Sequence, residues 1–192
     1  LVGSEMCIRD SCDIDDQKKK EWELREKSQK DSLTGLLNNS TIKQQIGARL
    51  QSLKRGQTGY LVVQDVDSFK KINDTNGHLF GDAVLCSFAD ELSNIFPEAL
   101  KGRIGGDEFV FYVEDMDREQ LEEKLKQLNR CMSDRYDDDK TGLHISCSLG
   151  AAVTDGTVTD YNLLFRWADA ALYQVKSREK GAYDLLEVKE GV

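Results

Sequence analysis

The segment that most constrains the fold is RIGGDEFVFYV at 103–113, in which two glycines and two carboxylates precede an apolar run. The run from Phe109 to Val113 has no polar face, so it suits a strand that is buried on both sides. A charge beside such a strand is costly unless it is paired or binds a metal. The position of Asp107 and Glu108 directly before the strand therefore requires a physical explanation.

Helical and strand patterns alternate along the rest of the chain. We predict a helix over 41–55 capped by Ser40, a strand over 59–67, a short helix over 68–74, a helix over 79–96, a helix over 117–133, a strand over 144–153, a helix over 161–180 and a strand over 182–188. This order predicts one α/β domain of the α+β type, a ferredoxin-like palm sandwich with a mainly antiparallel central sheet flanked by helices.

Length and composition limit the classes of function. The 192 residues suffice for one domain with a short attachment, and the formal charge of -9 argues against broad binding to nucleic acid, which needs clustered Lys and Arg. The five cysteines show no CxxC pair or metal-like spacing, so we expect a reducing, cytoplasmic compartment. The chain contains no run of about 18 apolar residues, so we expect no membrane segment within it.

The N-terminal part divides into two segments. The first eleven residues, LVGSEMCIRDS, resemble the translated end of a transposase sequencing adapter, so we expect 1–11 to be no part of the natural domain. Residues 12–30 are rich in helix formers with few apolar side chains, and we predict a solvated linking helix there. The main domain is then expected over 31–189. An upstream sensor or membrane segment of a longer protein is compatible with this interpretation.

A second group of carboxylates ends the strand predicted over 59–67. If this strand end lies beside the turn before Phe109, the two groups form an all-oxygen site of the type that Mg²⁺ or Mn²⁺ prefers. The oxygen donors are those of Asp65, the Val66 carbonyl, Asp107 and Glu108. The alternative interpretation is a turn with solvated acids, in which Asp67 caps the next helix.

The start of the following helix has the properties of an anion site. Its first backbone N–H groups and Lys70 provide the positive charge that phosphates need. Lys176 and Lys180, near the end of the helix predicted over 161–180, could reach the same anion. The alternative for both lysines is the ordinary role of a cation near a helix C-terminus, where it complements the helix dipole.

Five segments in this order resemble the GGDEF domain of diguanylate cyclases, and they span nearly all of 31–187. They are DSLTGLLN at 31–38, DVDSFKKINDTNGHLFGD at 65–82, RIGGDEF at 103–109, SCSLG at 146–150 and ADAALYQVK at 168–176. The resemblance implies a fold similar to the catalytic domains of nucleotidyl cyclases. It also implies a bacterial signalling enzyme that condenses two GTP into cyclic di-GMP and releases two pyrophosphates.

The resemblance also implies roles for the carboxylates and glycines. The metal positions of the family, for Mg²⁺ or Mn²⁺, are matched by Asp65, the Val66 carbonyl, Asp107 and Glu108. Glu108 additionally matches the residue that activates the attacking 3′-hydroxyl, with Asp107 beside it. Gly105 and Gly106 match the glycines that allow the backbone to approach GTP.

The substrate contacts follow from the same resemblance. Asn73 and Asp82 match the guanine readers, since an amide and a carboxylate together can pair with the acceptor and donor groups of the base. The other substrate-binding positions are Phe69, Lys70, Lys176 and Lys180. The last two match contacts to the terminal phosphate.

One such domain holds one GTP, so the implied reaction requires a homodimer in which two sites meet across a two-fold axis. Two other functions are compatible with the sequence: a catalytically inactive GGDEF domain that binds GTP and regulates an attached partner, and a structural dimerisation module. The chain departs from the family at Asn39 and Ser40, where arginines are usual, and at Phe96 and Ala99, where the inhibitory product site has an arginine and an aspartate. We therefore expect no product feedback through that site.

Overall fold

Residues 28–136, 143–178 and 180–188 are described by the structure, a computed structural model. In chain order the elements are β1 (Leu37–Asn38), α1 (Asn39–Ser52), β2 (Gly59–Val66), α2 (Phe69–Asn76), α3 (His78–Ile95), β3 (Leu100–Gly105), β4 (Glu108–Glu114), α4 (Arg118–Tyr136), β5 (Cys147–Thr154), α5 (Tyr161–Arg178) and β6 (Tyr183–Glu187). None of these helices is long and apolar enough to cross a membrane. The segment 1–11 and most of the predicted linking helix lie outside the described residues.

The six strands form one sheet in the order β1-β3-β4-β2-β5-β6. The three inner pairs, β3 with β4, β4 with β2 and β2 with β5, are antiparallel. The two outer pairs, β1 with β3 and β5 with β6, are parallel. The predicted α/β fold with a mainly antiparallel sheet flanked by helices is therefore confirmed, with parallel pairing added at both edges.

Strand β4 is buried on both faces, as its apolar sequence predicts. Phe109 and Phe111 pack in the layer of α3 and α4, where Phe88 and Phe96 contact them. Val110 packs in the opposite layer, with α1 and α5. Burying one large apolar side chain contributes about 1.5–3 kcal/mol. Because both layers hold this strand, they also fix the position of the turn that precedes it.

The N-cap of α1 differs from the prediction. Asn38, the last residue of β1, caps the helix: its side-chain oxygen accepts a hydrogen bond from the Thr41 N–H at 3.1 Å. The Ser40 hydroxyl also donates to this oxygen, at 2.9 Å. The prediction of Ser40 as the cap is wrong, because the chain already turns into the helix where β1 ends.

The antiparallel order of the inner strands brings the end of β2 and the start of β4 to the same end of the sheet, where these strand ends lie side by side. Asp65 lies directly opposite Glu108 on β4 and opposite Ser148 on β5. The turn between β3 and β4 places Asp107 at this end as well. We call this end of the inner strands, which holds Asp65, Asp107 and Glu108, the carboxylate edge.

Candidate active site

The carboxylate edge is built from the end of β2 and the turn between β3 and β4. Gly106 and Asp107 form this turn, and Gly106 has a φ of 50°, in the left-handed region that favours glycine. The backbone N–H of Val66 donates to the Asp107 carbonyl oxygen at 3.3 Å. The structure therefore brings together Asp65, Val66, Asp107 and Glu108, the residues predicted to bind a metal.

Arg103 holds the turn from one side. Its Nε and Nη2 atoms donate to the Gly106 carbonyl oxygen at 2.9 and 2.7 Å, and its Nη1 atom donates to Asp31 Oδ1 at 3.1 Å. Asp31 also accepts hydrogen bonds from the N–H and the hydroxyl of Thr34. Gly105 and Gly106 are exposed. Arg103, itself held by its ion pair with Asp31, therefore fixes the turn through the Gly106 carbonyl. The two glycines of the turn remain open to a ligand.

Arg103→Met is expected to lower the free energy of unfolding by about 1–3 kcal/mol, because it removes charge-assisted hydrogen bonds from partly buried partners. Burial raises the pKa of the Asp31 carboxyl, but the hydrogen bonds from Thr34 and the charge of Arg103 outweigh it, so this pKa lies below its ordinary value. An acid with a lowered pKa stabilises the fold above its unfolded pKa and loses that contribution as the pH falls through its folded pKa.

Urea denaturation at several pH values measures this effect. The stability difference between the wild type and Arg103→Met should be present at pH 7 and should shrink below about pH 4. Arg130→Met is the matched control, since Arg130 pairs with Glu123 on the surface, where both side chains are more than half exposed. An equal loss in both variants would contradict the role given to Arg103.

Asp65 is the most buried carboxylate of the edge, with 12% of its side chain exposed. Burial raises its pKa, and the charges of Asp107 and Glu108 raise it as well. The Lys176 ammonium, with Nζ 2.6 Å from Asp65 Oδ2, lowers the pKa but does not cancel the rise. Burial, the largest of these effects, thus outweighs Lys176, and a further cation at this edge would favour the ionised form of Asp65.

The donor set of the carboxylate edge fits a hard divalent cation. Carboxylate and carbonyl oxygens are the ligands that Mg²⁺ and Mn²⁺ prefer, and a cation beside Asp65 would offset the cost of burying its charge. In the part of the chain that the structure describes, no three His, Cys, Asp or Glu side chains converge on one metal position. Joint coordination by all three carboxylates would therefore require side chains to reorient, and the metal site stays a prediction.

The start of α2 lies beside this edge. Its N-cap residue Ser68 has a φ of 57°, a conformation that costs a residue other than glycine about 1–3 kcal/mol and that is frequent at functional sites. Among the described residues the Ser68 side chain makes no capping bond, and its hydroxyl contacts Lys180 Nζ at 2.9 Å instead. Lys70 is exposed two residues after Ser68, so the start of α2 is open to a ligand, and the anion site there stays a prediction. Lys180 reaches the start of α2 through its contact with Ser68, whereas Lys176 lies beside Asp65.

The predicted guanine readers lie at the contact between α2 and α3. A methyl group at Gly81 would come within 2.0 Å of Asn73 Oδ1 and 3.1 Å of Phe69 Cζ, so only glycine allows this approach. Asp82 follows Gly81 and is half-buried. Asn73 Oδ1 is buried without a hydrogen-bond partner among the described residues. A ligand such as a base could pair with the Asn73 amide only after this side chain turns outward, since the oxygen is enclosed against Gly81.

Asp67 is a buried residue whose contacts the sequence interpretation missed. Its Oδ1 atom accepts a hydrogen bond from the Ser148 hydroxyl at 2.7 Å, and its Oδ2 atom accepts from the Ser146 hydroxyl at 2.6 Å and the Gly181 N–H at 2.9 Å. The alternative in which Asp67 caps α2 is therefore wrong, because donors from elsewhere occupy both oxygens. The available signal was SCSLG, in which two serines alternate on one side of the chain.

The two positions of the family's inhibitory site lie near the end of β4, at the other end of the strands from the carboxylate edge. Phe96 is buried against Phe111, with ring centroids 4.9 Å apart, and Ala99 is half-buried. Neither side chain carries a charge that could pair with a phosphate or a guanine. The expected absence of product feedback through these positions stays a prediction.

Comparison with known proteins gives the family. The family model described as "Diguanylate cyclase, GGDEF domain" matches residues 28–182. The diguanylate cyclase DgcS of Shewanella oneidensis is 35% identical over 159 residues, which cover 81% of this chain and 52% of DgcS. The cyclic di-GMP phosphodiesterase PdeR of Escherichia coli is 29% identical over 172 residues, which cover 89% of this chain and 26% of PdeR. The chain thus spans about half of one relative and a quarter of the other.

The solved structures agree on the fold. The coiled coil and GGDEF domain of DgcB from Caulobacter crescentus, solved in complex with c-di-GMP, matches with a TM-score of 0.83 and 23% identity. The match covers 96% of this chain and 98% of that chain. At this identity the likeness shows a shared architecture, and the family model covers well over half of the sequence. The chain therefore belongs to the family of GGDEF domains of diguanylate cyclases.

Proposed function

We propose that the chain is a diguanylate cyclase that condenses two GTP into cyclic di-GMP and releases two pyrophosphates. The carboxylate edge carries this proposal: Asp65 faces Glu108 between neighbouring strands, and Lys176 lies 2.6 Å from Asp65. Oxygen donors for a metal, a lysine for phosphates and the open start of a helix thus share one place. The similarity to DgcS, a diguanylate cyclase, supports the same reaction.

In the proposed reaction the 3′-hydroxyl oxygen of one GTP attacks the α-phosphorus of the other. A bond forms between them, the bond from the α-phosphorus to the bridging oxygen breaks, and pyrophosphate leaves. Glu108, exposed at the start of β4, accepts the hydroxyl proton. Lys176 and Lys180 bind the triphosphate through their charges, with Lys180 at the terminal phosphate. The same step with the two nucleotides exchanged closes the ring.

The proposed ion is Mg²⁺ or Mn²⁺. The residues that would hold it are Asp65, Val66 through its carbonyl, Asp107 and Glu108. When bound, the ion stabilises charge on the α-phosphate and lowers the pKa of the attacking hydroxyl.

One carboxylate edge is expected to hold one GTP, so the proposal includes a homodimer. The exposure of Glu108 and of the two turn glycines is compatible with a second GTP that approaches from another domain. GTP is a substrate of the cytoplasm, and we place the domain there.

The proposal is tested by incubating an artificially dimerised domain with GTP and Mg²⁺ and identifying the product by mass spectrometry. Cyclic di-GMP and pyrophosphate should form in a ratio of one to two, which follows from the balanced reaction, and ATP should give no cyclic product. A folded dimer that binds GTP and forms no cyclic di-GMP would overturn the assignment as an enzyme.

Asn73→Ala and Asp82→Ala are each expected to weaken GTP binding by about 1–3 kcal/mol, because a site that pairs the polar edge of a base leaves groups unpaired when one partner is removed. Titration calorimetry with GTP and ATP measures the effect. Asp74→Ala is the matched control, since Asp74 is exposed on the same helix. If the unmodified domain binds GTP and ATP equally well, these residues do not read guanine.

A catalytically inactive GGDEF domain that binds GTP and regulates an attached partner is the second candidate. The similarity to PdeR favours it, since that relative is named a phosphodiesterase and its matching region covers most of this chain. Both candidates place the chain in bacterial cyclic di-GMP signalling. GTP binding without turnover in the artificial dimer would decide for the second.

A further inference from the structure

We infer that Asp67 is a positioning residue that fixes the phosphate-binding Lys180 relative to the carboxylate edge. The inference rests on the proposed function, since it takes the terminal phosphate of GTP to meet Lys180. Asp67 lies two residues after Asp65 and one after Val66, so the end of one strand carries both the proposed metal ligands and the anchor of the lysine.

The side chain of Asp67 joins three separate parts of the chain. It is 6% exposed, and its two oxygens accept hydrogen bonds from the Ser146 and Ser148 hydroxyls and from the Gly181 N–H. The Asp67 N–H also donates to the Ser146 carbonyl oxygen at 2.9 Å. Side chain and backbone of Asp67 thus hold the end of β2 to the entry of β5 and to the segment between α5 and β6.

Lys180 depends on this anchor because packing does not hold it. Its side chain is exposed, and a cavity of about 330 Å³, lined in part by Ser68, Lys71 and Lys180, opens beside it. Gly181, the next residue, has a φ of 76° and is bound through its N–H to Asp67. The Gly181 carbonyl oxygen also accepts from Asn129 Nδ2 at 3.0 Å, but it belongs to the following peptide group. The bond from the Gly181 N–H to Asp67 therefore orients the Lys180–Gly181 peptide itself, from which Lys180 reaches Ser68 at the start of α2.

The three donors explain why a carboxylate is needed, and they define two informative variants. In Asp67→Asn the remaining oxygen can still accept from Gly181 and Ser146, while the amide can donate to the Ser148 hydroxyl, so the anchor survives without its charge. In Asp67→Ala all three side-chain hydrogen bonds are lost, and the Gly181 segment keeps only the bonds that the Gly181 and Ala182 carbonyl oxygens accept from Asn129 Nδ2 and the Leu149 N–H. Comparing the two variants shows whether a change in GTP binding comes from the position of Lys180 or from the charge of Asp67.

The test measures the affinities for GTP and GDP by titration calorimetry with Mg²⁺, in a Glu108→Gln parent that is expected not to consume GTP. The parent should prefer GTP, and Lys180→Ala should reduce that preference about tenfold, the effect of one charge-assisted contact. Asp67→Ala should reduce the preference to the same extent, with little change for GDP. Combining it with Lys180→Ala should add nothing, and Asp67→Asn should retain most of the preference.

Each other outcome has a distinct meaning. If Lys180→Ala removes the preference and Asp67→Ala keeps it, the inference is overturned while the proposed function stands. Equal losses for GTP and GDP in Asp67→Ala would show a merely structural role and also overturn it. Absence of GTP binding by both the parent and the wild type would instead overturn the proposed function. Should Asp67→Ala lack a cooperative thermal transition, Asp67→Ser replaces it, since serine can still pair with Ser148 but is too short to hold Gly181.

Discussion

Asp65→Asn is expected to lower the rate of cyclic di-GMP formation by at least about a hundredfold, without loss of stability. Removing a group that only orients a metal ligand lowers metal affinity or activity roughly 10–100-fold. Asp65 is a proposed direct ligand, so its loss should reach the upper end of that range or exceed it. The neutral amide keeps the size of the side chain but gives the ion a weaker donor.

The stability part of this prediction follows from the direction of a pKa shift. The pKa of Asp65 is raised in the folded domain, chiefly by burial and by Asp107 and Glu108 against the opposing effect of Lys176. An acid whose pKa is raised in the fold is harder to ionise there than in the unfolded chain. At pH 7 its charge therefore lowers the stability of the folded domain. Asparagine removes that charge. Lys176 then loses its partner, but its side chain is 37% exposed and water can solvate it.

Two measurements on the same preparations test the prediction: initial rates of product formation and the midpoint of thermal unfolding at pH 7. Asp169→Asn is the control, since Asp169 is exposed on α5, the helix that carries Lys176. Glu108→Gln gives a contrast, because it should lower the rate far more than the affinity for GTP. A rate near that of the wild type in Asp65→Asn would remove this residue from the proposed metal site. A large fall in the unfolding midpoint would mean that the lost rate reports damage to the fold.

The sequence predicted the fold where a local pattern had only one low-energy solution. A run as apolar as Phe109 to Val113 can be placed only in a strand covered on both faces, and β4 is such a strand. The helices were likewise found from their apolar spacing. The parallel pairing of β1 with β3 and of β6 with β5 was not predicted, because the pairing of an outer strand depends on which strands meet in space. In addition, β1 has only two residues.

The site was predictable as a set of residues but not as a geometry. The alignment of Asp65 with Glu108 is a matter of strand register, and it became visible only with the sheet. The donors to Asp67 come from residues 79 to 114 positions further along the chain, and no local pattern connects them. The left-handed conformation of Ser68 is equally hidden, since serine seldom adopts it.

The contact of Asp31 with Arg103 links the entry of the domain to the turn of the carboxylate edge. The two residues are 72 positions apart, and Arg103 bonds the Gly106 carbonyl with the same guanidinium. Residues 28 and 29, just before Asp31, are helical. A helix attached at this point is therefore held at a fixed place relative to the turn, so a dimer formed through such a helix would also bring two carboxylate edges near each other.

Fusing a parallel leucine zipper directly ahead of Asp31 is expected to raise the rate per molecule at dilute protein by about a hundredfold. The proposed reaction needs two GTP on two domains, and linking the domains replaces their encounter in solution with a millimolar effective concentration. The predicted linking helix has few apolar residues, so the unfused chain should be mostly monomeric at low concentration. Its rate per molecule should therefore rise with protein concentration, whereas the rate of the fusion should not.

The control is the same fusion with charged residues in the zipper seam, which keeps the added helix but prevents pairing. Rates are compared from nanomolar to micromolar protein, with the mass of each sample measured by light scattering. A rate per molecule of the unfused chain that does not depend on concentration would mean that its dimer is already formed. A zipper dimer of confirmed mass that gains nothing over the seam variant at dilute protein would contradict a reaction between two domains, because bringing the two carboxylate edges together is the only change that the zipper makes.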